Sequence, residues 1–240
     1  MAQIPGILIQ MSGASLFAAK EIADRRFGRA SPTSHDDVAD VAEIRSIINS
    51  TPGRDVDQIT IAQEPSKIRT ALIIGPLIYG VGRGPCQPRS IQAPEIAKAT
   101  IKLGHGIKLL GGENAWSNVH VADVASLVCL LAEAGLNDKD VGWNKEGIYC
   151  PENGIMTFGE LGLRIAREAK SQGLIQDAAT HEIDASKADE LSPHASVLWG
   201  TNARTISQRA QSTMGWRPTG RCLEDEVPDV VKREVTGARA

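Results

Sequence analysis

Two serines stand directly after a short apolar segment near the start of the chain, in the run Met11-Ser12-Gly13-Ala14-Ser15. A serine hydroxyl at the end of a buried strand can hydrogen-bond the carbonyl or hydroxyl oxygen of a substrate. The same hydroxyls can instead satisfy backbone groups of a turn, which Ser and Gly favour. Ser12 and Ser15 are therefore candidates for binding a substrate oxygen, and the turn interpretation stays open.

A second polar group lies in the segment Asn118-Val-His-Val-Ala-Asp-Val124. Histidine is the side chain that most readily changes its charge near neutral pH. Against a catalytic role, Asp123 is predicted to cap the helix that follows, and a lone His on a strand is usually a hydrogen-bonded interior group. Asn118 and His120 are candidate substrate-binding residues.

Other chemistries lack the residue patterns that they need. No Gly-x-Ser-x-Gly is present, which disfavours serine hydrolysis. The five histidines and four cysteines show no metal-ligand spacing, so no metal site is predicted. Tyr79 has Arg83 four residues later, but an arginine does not readily lose its proton and the pair lies in a predicted turn.

Strands alternating with helices must position these residues. Apolar runs at 7–11 and 71–74 predict buried parallel strands, and shorter strands are predicted at 107–110 and 147–150. A helix over 38–48 is predicted to be capped by Asp36 or Asp37. The alternation predicts an α/β fold with a parallel sheet. Further helices are predicted at 56–63, 91–103, 124–134 and 158–170, the last capped by Thr157, and as short pieces within 192–234.

Three segments, read in order, carry a family resemblance: Thr70-Ala-Leu-Ile-Ile-Gly-Pro-Leu-Ile-Tyr-Gly-Val-Gly82, Trp116-Ser-Asn-Val-His-Val-Ala-Asp-Val-Ala125 and Met214-Gly-Trp-Arg-Pro218. They resemble the second half of an extended short-chain dehydrogenase/reductase, the NAD(P)-dependent epimerase/dehydratase family. The family patterns are Arg-Pro-x-x-Tyr-Gly, Val-His-Val-x-Asp-Val and Gly-Trp-x-Pro, with Gly75 near the Arg position. The resemblance implies an incomplete Rossmann-like parallel sheet flanked by helices, with a small C-terminal substrate-type lobe.

The resemblance also implies a domain organisation. Residues 1–240 would form a single NAD(P)-binding domain that is N-terminally incomplete, and 83–118 and 147–220 would contribute the substrate-type lobe. At ~30 residues per βαβ unit, roughly a hundred residues of the family's first units would be absent. Those units hold the cofactor pyrophosphate at a glycine-rich turn and a helix N-terminus, and no Gly-x-Gly-x-x-Gly opens this chain.

The cofactor implied by the resemblance is NAD or NADP, bound only weakly by this chain alone. Gly75, Pro76, Leu77 and Tyr79 would lie beside the nicotinamide ring. In the family, a Tyr with a Lys four residues later moves the proton while a Ser or Thr hydroxyl at the end of the strand that resembles 7–11 binds the substrate oxygen. The resemblance thus implies Ser12 and Ser15 as the catalytic residues. No Tyr-x-x-x-Lys occurs in this sequence.

The implied function is that of an NAD(P)-dependent oxidoreductase or epimerase acting on a hydroxyl, aldehyde, ketone or nucleotide-sugar carbon, weak or inactive as this chain alone. The alternative is a non-catalytic nucleotide-binding or protein-interaction module that kept the scaffold. Loss of the Tyr/Lys couple favours the alternative, whereas the three ordered segments favour the first hypothesis.

Composition limits the partners. The net charge of −3, the aromatic content of 4% and the lack of a basic cluster disfavour a nucleic-acid surface. The uncharged run at 70–82 is too short and too rich in Gly and Pro to span a membrane. Four separated cysteines predict a reduced, cytoplasmic protein, with Cys129 in the core. The partner is expected to be a small-molecule substrate, and an exposed apolar edge beside 7–11 predicts a homo-oligomer.

Overall fold

A computed structural model gives the structure of residues 6–236, so residues 1–5 and 237–240 of the expected domain lie outside the described part. The strands are β1 Gly6–Gly13, β2 His35–Asp36, β3 Ile68–Gly75, β4 Leu77–Tyr79, β5 Gly106–Leu109, β6 Ala115–His120, β7 Ile148–Tyr149, β8 Ile155–Thr157, β9 Thr180–Ile183 and β10 Thr205–Ile206. The α-helices are α1 Ala19–Ala23, α2 Val41–Ser50, α3 Asp55–Ile61, α4 Gln92–Leu103, α5 Val121–Leu136, α6 Phe158–Ser171, α7 Ala185–Leu191, α8 Ala195–Gly200, α9 Arg209–Met214 and α10 Leu223–Thr236.

The central sheet has the order β1-β3-β7, and both neighbours of β3 run parallel to it. β1 and β3 pair without interruption from Gly6 opposite Ile68 to Gly13 opposite Gly75. Their apolar, β-branched residues suit strands that are covered on both faces. The predicted α/β fold with a parallel sheet is confirmed.

Helices cover both faces of this sheet. Because side chains alternate along a strand, Ala71 and Ile73 of β3 pack into one apolar cluster, while Leu72 and Ile74 pack into another. The first cluster contains Leu127 and other residues of α5. The second is larger and includes Ile44 and Ile48 of α2 and Ile61 of α3.

The chain bends after the central sheet and enters a second layer. Pro76, which has no backbone N–H, separates β3 from β4. β4 pairs in parallel with β6, and β6 pairs antiparallel with β8. Two further parallel pairs are β5 with β9, which packs against α6, and β2 with β10.

The helix predicted over 38–48 starts later than predicted, and neither Asp36 nor Asp37 is its N-cap residue. The carboxylate of Asp36 accepts the backbone N–H groups of Val38 and Ala39 in the turn before the helix, at 2.7 and 3.0 Å. The helix α2 begins at Val41 with Asp40 at its N-cap position. The carboxylate of Asp37 is fully buried and accepts hydrogen bonds from the backbone N–H groups of Cys150, Gln208 and Arg209 at 3.0, 2.8 and 2.8 Å. Asp37 therefore accepts N–H groups at the start of α9, whose first residue is 172 positions away in sequence, and local spacing could not reveal this contact.

The cap predicted at Asp123 is also wrong. Helix α5 starts at Val121, and Nδ1 of His120 accepts the backbone N–H of Ala122 at 3.1 Å. The cap predicted at Thr157 is confirmed, because its hydroxyl accepts the backbone N–H of Glu160 at 3.1 Å. Cys129 of α5 was expected in the core and is exposed.

In the part of the chain that the structure covers, no helix has the length and apolarity that a bilayer crossing requires.

We predict that Asp37→Ala destabilises the fold by roughly 3 kcal/mol, because three buried N–H groups lose their acceptor. Urea unfolding measures the loss. Asp55→Ala, an exposed carboxylate on α3, is the matched control and should change the stability by less than about 0.5 kcal/mol. Equal stability of the two variants would contradict the role given to Asp37.

Burial raises the pKa of Asp37 above its ordinary value, although its hydrogen bonds act in the opposite direction. A folded-state pKa that is raised contributes stability at low pH, and that contribution is lost as the pH rises through the folded value. The stability of the unchanged chain relative to Asp37→Asn should therefore fall as the pH rises from about 4 towards 7. An unchanged difference over this interval would show that the carboxyl does not titrate there.

The outer edge of β1 leads to a further prediction, which concerns the oligomeric state. Among residues 6–236 no strand pairs with this edge, and Leu8 and Met11 are 38% and 42% exposed. An uncharged edge strand with exposed apolar side chains favours association, so we expect the isolated chain to sediment as dimers or larger species. Leu8→Lys with Met11→Lys should shift it to monomers, whereas Val235→Lys, at a similarly exposed position of α10, should not. A monomeric unchanged chain would refute the expectation.

Candidate active site

The carboxyl ends of β1 and β3 meet at one edge of the central sheet. Ser12 lies opposite Ile74, and Gly13 lies opposite Gly75. Ligands of open α/β sheets bind outside the carboxyl ends of the strands. The fold thus brings the predicted catalytic segment and the predicted cofactor segment to one place.

Two oppositely charged side chains, Arg54 and Asp57, are hydrogen-bonded to the two candidate serines. The hydroxyl of Ser12 donates to Oδ2 of Asp57 at 2.7 Å. Arg54 donates from Nη2 to Oγ of Ser15 at 2.9 Å and from Nη1 to Oγ of Ser12 at 3.3 Å. Nη1 of Arg54 is also 3.5 Å from Oδ2 of Asp57. Two hydroxyls, one guanidinium and one carboxylate therefore form a connected network.

Local sequence explains how this network forms. Pro52 and Gly53 separate α2 from α3, so α3 begins anew at Asp55 with Arg54 at its N-cap position. Asp57 lies in the first turn of α3, where a carboxylate interacts favourably with the helix dipole. Its side chain is only 7% exposed, so its charge depends on Arg54 and on the Ser12 hydroxyl.

A cavity of about 570 Å³ adjoins the serines. The residues of the central sheet edge and the lobe face each other across it. Its lining consists of Ser12, Gly13, Ala14, Ser15, Gly75, Pro76, Ile78, Gly80, Gly82, Gln87, Pro88, Arg89, Ser90, Ile91, Gln92, Trp116, Val121 and Leu198. Of the eight residues predicted from the sequence, Ser12, Ser15, Gly75 and Pro76 line this cavity.

Leu77, Tyr79, Asn118 and His120 are not part of that lining. Leu77 and Tyr79 belong to the apolar core. Asn118 is buried in β6, and its backbone bonds to Asn153 and Gly154. The ring of His120 packs so tightly against Gly80 and Gly220 that a Cβ at either glycine would overlap it.

The two tyrosines of the chain are both committed to structural hydrogen bonds. The hydroxyl of Tyr79 donates to the carbonyl of Arg221 at 2.7 Å, and that of Tyr149 donates to the carbonyl of Val141 at 2.7 Å. Burial raises the pKa of both hydroxyls above the ordinary value. A catalytic tyrosine needs a lowered pKa, so neither tyrosine meets that need.

The family-like segments around His120 and Trp216 are connected to each other by hydrogen bonds. The carboxylate of Asp123 accepts the backbone N–H groups of Thr219 and Gly220 at 2.8 and 3.1 Å. The indole N–H of Trp216 donates to the carbonyl of Asp123 at 3.1 Å. These contacts explain why the sequence carries both segments, and they are structural.

The described residues fit one end of a nicotinamide dinucleotide. Gly13 and Gly75 leave the wall at the sheet edge free of side chains, and a Cβ at Gly75 would lie 2.9 Å from Cδ1 of Ile78. A flat ring can approach such a wall closely. Within residues 6–236, however, no strand of the central sheet enters a helix through a glycine-rich turn, which is the usual pyrophosphate site.

A metal ion in a protein needs several ligating side chains grouped around it. Within the described ranges, no three His, Cys, Asp or Glu side chains are grouped so that they could hold an ion.

Sequence reasoning missed Arg54 and Asp57. A search for the family's Tyr-x-x-x-Lys pattern passes over both residues. The available signal was the pair of opposite charges three residues apart at the start of a helix, in a chain whose first predicted strand, 7–11, is followed by Ser12.

Comparison with known proteins identifies one similar curated protein and a group of similar folds. No protein-family model matches the chain. The oxidase ucsJ of an Acremonium species is 30% identical over 240 residues, which cover 95% of this chain and 69% of the oxidase.

Solved structures share the fold at low sequence identity. The PbgP3 protein of Burkholderia pseudomallei has a TM-score of 0.61 and 13% identity, with 97% of this chain and 64% of that chain covered. The dTDP-glucose 4,6-dehydratase of Bacillus anthracis, solved in complex with NAD, has a TM-score of 0.56 and 13% identity, with 95% and 61% covered. The chain spans less than two thirds of the length of either solved protein. The likeness confirms the predicted Rossmann-like fold.

Proposed function

We propose that this chain, which belongs to the NAD(P)-dependent epimerase/dehydratase family, is the substrate-side part of an oxidoreductase that uses NAD or NADP. The substrate carbon bears a hydroxyl, aldehyde or ketone, or belongs to a nucleotide sugar. The observation that carries the proposal is the pair of serine hydroxyls at the sheet edge, connected to Asp57 and Arg54.

One serine hydroxyl is oriented to accept a hydrogen bond from the substrate, and the other is oriented to donate one. Because Ser12 donates its hydrogen to Asp57, its oxygen can accept a hydrogen bond from a substrate hydroxyl. Ser15 accepts from Arg54, so its own hydrogen can be donated to the substrate oxygen. One substrate oxygen is then held by both serines.

Proton movement follows from the same bonds. In alcohol oxidation, the substrate hydroxyl proton passes to Oγ of Ser12 while the Ser12 proton passes to the carboxylate of Asp57. A bound nicotinamide would supply the acceptor for the hydride of the carbon that bears the oxygen. Arg54 holds the positive charge that balances Asp57 before the transfer and keeps Ser15 oriented. In the reverse direction Asp57 takes its proton from solvent.

The wall opposite the serines is supplied by the substrate-type lobe of 83–118 and 147–220. Arg89, Ile91, Gln92, Trp116 and Leu198 of these ranges line the cavity. We place the nicotinamide beside Gly75 and Pro76. Roles for Leu77, Tyr79, Asn118 and His120 are indirect, because these side chains shape the turn and the lobe behind the cavity wall.

The alternative is a nucleotide-binding or interaction module without catalysis. It is favoured by one observation, which is that neither tyrosine hydroxyl of the chain is available for proton transfer. The two functions differ in whether Ser12 and Asp57 transfer a proton.

We predict that the chain alone binds NADH and NADPH more weakly than about 1 mM and shows negligible hydride transfer with them. The pyrophosphate needs N–H donors at a helix N-terminus, and the described residues offer no such turn. Calorimetric titration and absorbance at the dihydronicotinamide band measure the two quantities. Micromolar affinity with turnover that survives Ser12→Ala and Ser15→Ala would overturn both the incomplete cofactor site and the choice of residues.

A smaller hydride donor tests the chemistry independently of the pyrophosphate site. We expect 1-benzyl-1,4-dihydronicotinamide, which has the ring alone, to reduce benzaldehyde faster with the chain than without it. Ser12→Ala and Asp57→Asn should each lower this excess rate at least tenfold, because positioned proton donors contribute factors of roughly 10²–10⁴. Ser66→Ala, an exposed serine outside the cavity lining, is the control and should retain the full rate.

Retention of the excess rate in Asp57→Asn would exclude the proton path through Ser12. No excess rate in the unchanged chain would favour the non-catalytic module. Unfolding temperatures of the variants, measured alongside, identify any loss that comes from misfolding.

A further inference from the structure

The 570 Å³ cavity combines one polar end with walls that carry little usable charge. On this basis, and resting on the proposed function, we propose that the substrate is an uncharged, largely apolar alcohol or carbonyl compound, and not a nucleotide sugar. Its oxygen lies at Ser12 and Ser15, and its carbon body lies against the lobe. The volume lies in the range of small-molecule sites.

The walls are apolar on both sides. The central layer contributes Pro76 and Ile78, and the lobe contributes Ile91, Trp116 and Leu198. Burying apolar surface stabilises a complex by about 25 cal/mol per Å². A ring or branched chain therefore gains contact on two faces, which a hydrated sugar diphosphate does not.

Two polar side chains of the lobe that line the cavity, Gln92 and Trp116, are already hydrogen-bonded to the protein. The side-chain amide of Gln92 donates to the carbonyl of Leu198 at 2.8 Å. The indole N–H of Trp116 donates to the carbonyl of Thr201 at 2.9 Å. A ligand in the cavity consequently meets their apolar parts.

The only charged residue among the lining residues, Arg89, is neutralised. It donates from Nε and Nη2 to Glu234 at 2.8 and 2.9 Å, and its Nη1 lies 2.7 Å from Oε1 of Glu95. A diphosphate requires cationic or N–H donors to offset its desolvation. Binding one here would require breaking a bidentate ion pair and placing the phosphates near two carboxylates.

A neighbouring cavity of about 710 Å³ provides the competing possibility. It shares Gly80, Gly82 and Arg89, among others, with the first cavity and adds the exposed Arg83 and also Arg233, which donates to Glu226 at 2.7 Å. A charged ligand that extended into it would use Arg83. The two ligand classes thus depend on different residues, which makes them separable by experiment.

The test compares cinnamyl alcohol with UDP-glucose, each titrated into the unchanged chain without cofactor and followed by calorimetry and ligand-observed NMR. We expect cinnamyl alcohol to bind at roughly millimolar concentration or below and UDP-glucose to bind at least tenfold more weakly. Ile91→Glu should weaken alcohol binding at least tenfold, because it adds a carboxylate to the apolar wall at a position that is 62% exposed and tolerant of change. Ile155→Glu, at another exposed isoleucine outside the lining, is the matched control.

Two further variants secure the interpretation. Leu198→Glu, which adds a carboxylate to the cavity wall from α8, should weaken alcohol binding as Ile91→Glu does. Arg83→Ala should leave alcohol binding unchanged. Tighter binding of UDP-glucose, lost in Arg83→Ala, would overturn the proposal, and so would the absence of alcohol binding or its indifference to Ile91→Glu. Alcohol binding that depends on Ile91, with no excess reduction of benzaldehyde by 1-benzyl-1,4-dihydronicotinamide, would retain the substrate class and refute the oxidoreductase function. Hydride transfer confined to a nucleotide sugar would do the reverse.

Discussion

The pairing register between β1 and β3 is the constraint on which the site depends. It places Ser12 and Gly13 at the same sheet edge as Gly75. Side chains alternate along a strand with a period of two, so a slip of one residue would turn Ser12 away from Asp57 and reverse the buried and exposed faces of β1. The register is held from both sides. Leu72 and Ile74 must reach one apolar cluster while Ala71 and Ile73 reach the other.

Sequence reasoning found this part of the structure because the signal is local. A β-branched run bounded by glycines predicts a buried strand whatever surrounds it, and both strands were located within a few residues of their bounds. The serines were located in the same way, at the end of a predicted strand, whereas Gly75 was selected from the family resemblance. Thr157 was identified because a capping residue and its partner lie three positions apart.

The residues that sequence reasoning misplaced act over long distances. Asp37 was assigned to the nearest helix, yet its carboxylate serves the start of α9, because folding brings β2 beside β10. Asp123 was assigned to the start of α5, whereas its carboxylate holds Gly220 and the neighbouring Thr219. In each case an Asp has two equally good partners by chemistry, and only the tertiary fold decides between them. Cys129 shows the same limit, since an apolar helix does not reveal which of its faces is covered.

The segments that carry the family resemblance and the residues that can do chemistry are different sets. His120, Asp123 and Trp216 hold α5 against the C-terminal loop, and Tyr79 ties β4 to the carbonyl of Arg221. These contacts lie in the interior and require a specific geometry. A sequence that retains the fold therefore retains them, whether or not the protein retains catalytic activity. Arg54 and Asp57 match no family pattern, and they are the charged side chains bonded to the two serines that border the cavity. A resemblance carried by packing residues therefore identifies the fold, while the chemistry has to be derived from hydrogen bonds at the sheet edge. There, we propose that a Ser–Asp pair takes the role for which the buried tyrosines are unsuited.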